Sequence, residues 1–127
     1  KLYRCRRQYR LRRAERILYN KDFTKIIKIP NHVSGTVTLP STITQLGVDD
    51  NSDFINSYIT EINISVTLKE LGRFSFYNPY RLERINYGGT MAQWLAIEKH
   101  EKWVYGTENF VIVCSDGTLD IHGNIIN

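Results

Sequence analysis

Two blocks of hydrophobic positions recur in tandem along the middle of the chain. Leu39–Gly47 aligns with Ile64–Gly72, with hydrophobic residues at offsets 0, 4 and 7 and a glycine at offset 8 in both. Further on, Ile59–Ile64 aligns with Leu82–Tyr87. The first unit has two extra residues in the acidic stretch 48–53. This repetition predicts two structural units that stack on each other, because neither is large enough to bury its own apolar face.

Each unit is predicted to contain a short strand with one buried face. Hydrophobic residues at positions 1, 4 and 6 of Ile59–Ile64 and Leu82–Tyr87 should point inward. Parallel stacking would then place Glu61 beside Arg84 and Asn63 beside Asn86, about 4.8 Å apart. This outward face is the candidate ligand-binding site. Its residues are Thr60, Glu61, Asn63, Glu83, Arg84 and Asn86.

The segment that follows each strand is expected to return across a compact turn. The glycine at offset 8 suits a position where a side chain would collide or where φ must be positive. Phe74, Phe76 and Tyr77 are expected to fill the interior of the second return, with Phe54 as their counterpart in the first unit.

The tail predicts a helix followed by a hairpin. Thr90-Met91-Ala92-Gln93 has the spacing of a capping box, which predicts a helix from Thr90 to about Lys99. Met91 and Leu95 are expected on its inward face, with Trp94 and Glu98 as further candidates. Phe110–Cys114 is predicted as a buried strand that turns at Asp116-Gly117 and returns through Leu119 and Ile121. We expect Trp94 and Trp103 to be core plugs rather than a ligand-binding aromatic box.

These residues resemble the BspA-like leucine-rich repeats. The resemblance rests on Leu39–Gly47, on Phe76–Asn78 with Leu82–Ile85, and on a tail that is similar to the segment closing such arrays. It covers about residues 29–121. It implies a right-handed solenoid of parallel strands on secreted or cell-surface proteins that bind other proteins. The arginine-rich start matches nothing in the repeat.

The sequence therefore predicts an α/β repeat solenoid: a short parallel-strand leucine-rich-repeat array with a C-terminal helix-plus-hairpin cap and a basic N-terminal helical arm. The expected parts are an arm over residues 1–28, repeats over 29–87 and a cap over 88–127.

The charge is distributed unevenly. The 127 residues carry a formal net charge of +4, but residues 1–28 hold eleven Lys and Arg against two acidic residues, a net +9. Clustered arginines can neutralise phosphates, whereas charge runs also occur as solvated faces; both interpretations remain open for the arm. It could also pair with Asp49, Asp50 and Asp53. The candidate polyanion-binding residues are Arg4, Arg6, Arg7, Arg10, Arg12, Arg13 and Arg16.

The sequence contains little that indicates catalytic activity. His32, His100 and His122 lie in unrelated contexts, and zinc-ligand, nucleophile-elbow and phosphate-loop spacings are absent. Cys114 is expected to pack as a small apolar residue. We expect no enzyme activity, cofactor or metal.

Two functions follow as expectations. The first is a noncatalytic recognition or adhesion module, secreted or on the cell surface, that binds protein or glycan through the strand face. The alternative is an intracellular, nucleic-acid-associated protein whose arm contacts phosphates. No apolar stretch is long enough to span a membrane. Oligomeric state is left open.

Overall fold

The computed structural model describes residues 17–30, 33–47, 58–106 and 109–126. Twelve short strands and one helix lie in these ranges. In chain order they are β1 (Leu18–Tyr19), β2 (Ile26–Lys28), β3 (Ser34–Thr38), β4 (Gln45–Leu46), β5 (Tyr58–Ile64), β6 (Glu70–Leu71), β7 (Phe76–Tyr77), β8 (Arg84–Tyr87), α1 (Met91–Ala96), β9 (Glu98–Lys99), β10 (Val104–Tyr105), β11 (Val111–Cys114) and β12 (Gly117–Leu119).

The strands of the described ranges form four sheets. The largest has the order β12-β11-β8-β5-β3, in which β3, β5, β8 and β11 run parallel and β12 is antiparallel to β11. A second sheet, β4-β6-β9, and a third, β10-β7, are parallel. β1 and β2 form an antiparallel pair. Inward rows of the five-stranded sheet and of the smaller sheets join in one hydrophobic core.

The two repeated blocks pair with each other in the predicted register. Gln45 pairs with Glu70 and Leu46 with Leu71 in the second sheet. Each block begins with the same turn, closed by Ile43 N–H donating to the Pro40 carbonyl (3.2 Å) and by Leu68 N–H donating to the Ser65 carbonyl (3.3 Å). The sequence repeat is therefore a structural repeat as well.

The predicted α/β repeat solenoid is wrong. The described residues form mostly small strands in mixed sheets, with one six-residue helix and no alternation of helix and strand. The repeated blocks end in the two-residue strands β4 and β6. Glycine follows each of them directly, at Gly47 and Gly72, so neither has the length that a helix needs.

The predicted helical arm over residues 1–28 is also wrong where the structure describes it. Residues 17–28 contain the hairpin of β1 and β2 instead. Asn20 holds the connection, because its Oδ1 accepts hydrogen bonds from the backbone N–H of Thr24 (2.8 Å) and Lys25 (3.0 Å). Asparagine favours such turns over helix interiors. Residues 1–16 lie outside the described ranges.

The helix α1 begins as predicted but ends earlier. Thr90 is the N-cap, and the reciprocal hydrogen bonds with Gln93 complete the capping box. The helix was predicted to reach Lys99, yet it ends at Ala96, and Glu98–Lys99 pairs with β6 as β9. Of the residues expected on its inward face, Trp94 is 1% exposed, whereas Leu95 is 52% exposed and therefore departs from the prediction.

Aromatic rings fill the core beneath the helix. Trp94 and Trp103 are both buried, as predicted for core plugs, with their ring centroids 5.9 Å apart. Trp103 also contacts Phe76 and Phe110 edge-on. Of the three aromatics expected inside the second return, only Phe76 is fully buried.

Phe74 and Tyr77 depart from their predicted interior positions. Both are only half-buried, and Phe74 has a left-handed backbone with φ 54°. Its ring packs against Tyr77, Tyr105 and the guanidinium of Arg73 near the surface. Phe54, Asp49, Asp50 and Asp53 lie outside the described residues.

Candidate binding face on the five-stranded sheet

The strand face has the inward and outward positions that the sequence predicts. Ile59, Ile62 and Ile64 are buried, and the strand β5 turns Thr60, Glu61 and Asn63 away from the core. The two consecutive outward residues Thr60 and Glu61 are possible because Gly35 pairs with Ile59 while Thr36 pairs with Glu61. Thr60 is thus the extra residue of a β-bulge.

Register places the outward side chains in two rows that cross the parallel strands. Glu61 pairs with Arg84, and Asn63 pairs with Asn86, as predicted. The rows continue onto β3 and β11 on either side. The first row is Thr36, Glu61, Arg84 and Val111; the second is Thr38, Asn63, Asn86 and Val113. We call these eight residues the strand face.

Hydrogen bonds connect the polar side chains of the strand face across three strands. Asn86 Nδ2 donates to Asn63 Oδ1 (2.7 Å) and to Glu61 Oε2, and Asn63 Nδ2 donates to Thr38 Oγ1 (2.8 Å). Because an ionised carboxylate only accepts, Glu61 fixes which end of the Asn86 amide faces β5. The side chains are therefore held in one arrangement before any ligand is bound.

Arg84 is the exposed cation of this face. Its Nε lies 3.9 Å from Glu61 Oε2, and 45% of its side chain is exposed. Glu61 is its only ion-pair partner among the residues described. A guanidinium has five N–H donors in a planar fork, so the two Nη groups remain available to a ligand.

Glu83 and Thr60, the remaining predicted site residues, lie beside the rows. Glu83 is exposed, and its backbone N–H donates to the Thr60 carbonyl (2.8 Å). All six predicted site residues thus lie on β5, on β8 or directly before β8.

Sequence reasoning missed the apolar end of the face. Phe110–Cys114 was predicted as a wholly buried strand, but burial alternates along β11, and Val111 and Val113 are only half-buried. Ile112 pairs with the inward Ile85, which leaves the two valines on the outward side. Phe110, Ile112 and Cys114 are spaced two residues apart, as expected for the buried side of a strand. This alternation is not visible in the sequence, because Val111 and Val113 between them are also hydrophobic.

Other chemistry is sparse in the ranges that the structure describes. No group of three or more His, Cys, Asp and Glu side chains is placed there to hold a metal ion. Glu98, His100 and Glu101 are all exposed, as expected from the sequence. The candidate polyanion-binding residues Arg4, Arg6, Arg7, Arg10, Arg12, Arg13 and Arg16 precede residue 17 and lie outside the description.

Cys114 is buried in β11 and is 8% exposed, as expected for a small apolar residue. Burial raises the pKa of its thiol, and the nearby negative charge of Asp116 raises it further. A higher pKa leaves less of the reactive thiolate at neutral pH. The structure therefore predicts an unreactive thiol.

We expect native Cys114 to react with a thiol-specific disulfide reagent more slowly than in urea, because its raised pKa leaves less thiolate and its side chain is buried. The measurement uses a Cys5→Ser variant, so that a single thiol reports. The same variant in urea is the control, and equal rates in the two conditions would contradict the expectation.

A search of the described part of the chain finds no helix long and apolar enough to cross a membrane. Comparison of the chain with protein-family models, curated proteins and solved structures finds no match. The resemblance to BspA-like repeats stays a prediction.

Proposed function

We propose that this protein is a noncatalytic recognition module that binds a protein ligand through the strand face. The observation that carries the proposal is the hydrogen-bonded network of Thr38, Asn63, Asn86 and Glu61. Side chains that are already ordered lose little conformational entropy when a partner binds.

The composition of the strand face favours a protein over a glycan. Its polar rows end in the aliphatic side chains of Val111 and Val113, and protein interfaces combine apolar contact with a polar surround. Neither row contains an aromatic ring on which a sugar could stack. Tyr58, at the start of β5, has an exposed ring, but the guanidinium of Arg81 already covers it at 4.6 Å.

A phage-displayed library of random linear peptides, panned on the full chain, tests the proposal. We expect enriched peptides to lose at least about tenfold in affinity for Asn63→Arg, because a bulky cation then blocks the centre of the face. Thr36→Arg, at an exposed position of the same face, provides a second variant with less risk to folding.

The matched control is Ser41→Arg, which adds the same side chain at an exposed turn away from the face. It should bind the enriched peptides like the wild type. The proposal fails if no peptide is enriched, or if enriched peptides bind all three variants equally. It also fails if binding depends only on residues 1–16.

A further inference from the structure

The strand face changes from polar to apolar between β8 and β11. On the β5 side its side chains are bonded to one another, and on the β11 side it presents Val111 and Val113. Arg84 and Asn86 stand at the boundary, each paired in register with one of the two valines. This boundary is the part of the face where unused polar groups and apolar surface meet.

The unused groups at the boundary are complementary to a peptide. Both Nδ2 hydrogens of Asn86 are directed at Glu61 and Asn63 on β5, so its Oδ1 is turned away from that strand. An amide oxygen in this position can accept a hydrogen bond from a ligand N–H. The Nη groups of Arg84 present parallel donors, the arrangement that binds a carboxylate with two hydrogen bonds.

We propose that this boundary binds a peptide segment with a single acid, whose carboxylate lies on Arg84 while an aliphatic side chain two positions away lies on Val111 and Val113. The proposal rests on the proposed function, since it names the ligand class of the same face. Side chains of an extended peptide alternate between its two faces, so an acid and an aliphatic residue two positions apart point to the same side. Arg84 pairs in register with Val111 on the neighbouring strand, so these two ligand side chains can both contact the boundary.

Two carboxylates lie next to Arg84: Glu83 precedes it in the chain, and Glu61 pairs with it in register. They determine which ligand charges the boundary accepts. Glu61 is occupied by the amide of Asn86 and lies 3.9 Å from the Arg84 Nε, which leaves the outer side of the guanidinium to the ligand. Exposed Glu83 would repel a second ligand carboxylate. The site thus selects a single acid two positions from an aliphatic residue over a run of acids.

The peptides enriched on the full chain provide the test. We expect them to share one Asp or Glu two positions from Val, Leu or Ile. Replacing that acid by its amide should weaken binding to the wild type about tenfold, as expected for one charge-assisted pair. The same replacement should have no further effect on Arg84→Gln. Arg84→Lys should retain part of the preference, because lysine keeps the charge without the fork.

Arg73→Gln is the matched control, since it removes the same charge from an exposed position outside the face. It should show the full tenfold preference for the acid. If peptides lose binding to Asn63→Arg but their acid matters equally for wild type and Arg84→Gln, this inference fails and the proposed function stands. If no peptide depends on the face, both fail.

Discussion

Trp94→Ala should destabilise the protein by about 3–5 kcal/mol, the usual cost of removing a buried tryptophan from a core. Trp94 is 1% exposed, and its ring packs edge-on against Tyr87 and Trp103. The ring also supports Lys99, whose Nζ lies 5.1 Å from the ring centroid. The loss would be a large part of the total for a small domain, about 5–15 kcal/mol. Urea denaturation followed by far-UV circular dichroism measures it.

The matched control is Leu95→Ala, at the next position of the same helix. Leu95 is 52% exposed, so its truncation should cost no more than about 1 kcal/mol. The pair of variants also decides which side of α1 faces the core. A larger loss of stability for Leu95→Ala than for Trp94→Ala would contradict the orientation of α1 described above, in which Trp94 faces the core.

Gly47→Ala should destabilise the protein by about 2–5 kcal/mol, which combines overpacking of about 1–3 kcal/mol with a left-handed backbone penalty of about 1–2 kcal/mol. Gly47 has φ +68°, and a Cβ there would lie 2.8 Å from the Cα of Ser75 and collide with its Oγ. Ser75 is fully buried, and its hydroxyl bonds to the carbonyls of Gly72 (2.8 Å) and Leu46 (3.1 Å). Thermal and urea unfolding measure the loss.

Two other glycines separate the causes of this loss. Gly35 has φ +76°, and no atom lies within 4 Å of the position that a Cβ would take, so Gly35→Ala should show only the backbone penalty, about 1 kcal/mol. Gly88 lacks a positive φ, and the nearest contact of its Cβ would be 3.5 Å, so Gly88→Ala should be almost neutral. Equal losses at Gly35 and Gly47 would exclude crowding at Ser75 as a cause.

The repeat made much of the strand face predictable. Counting residues between equivalent positions gave the pairing of Glu61 with Arg84 and of Asn63 with Asn86. The side chains that face inward followed from the spacing of isoleucines: Ile62 and Ile64 alternate, and the bulge at Thr60 adds one position between Ile59 and Ile62. The capping box at Thr90 was an equally local signal and formed as predicted. The predicted hairpin also formed, but its turn residues are Ser115 and Asp116, and Gly117 is the first residue of β12.

The structural features that the sequence did not predict depend mainly on contacts between distant segments. Glu98–Lys99 is not helical because it pairs with the edge of β6, and this pairing cannot be predicted from the local sequence. Residues 17–28 were included in the predicted helical arm, but the side chain of Asn20 stabilises a turn inside them. The outward valines of β11 were hidden because a strand with hydrophobic residues at every position shows no alternation.

The parallel pairing of the five-stranded sheet has a consequence for how fast the protein folds. Val37 pairs with Ile62, and Ile62 with Ile85, so each new strand must close a loop of more than twenty residues before its contacts can form. Ile112 and Leu119, in contrast, are only seven positions apart. The C-terminal hairpin therefore has the lowest entropic cost of nucleation in this sheet, and the high sequence separation of the other pairs places folding in the slow, millisecond-to-second regime.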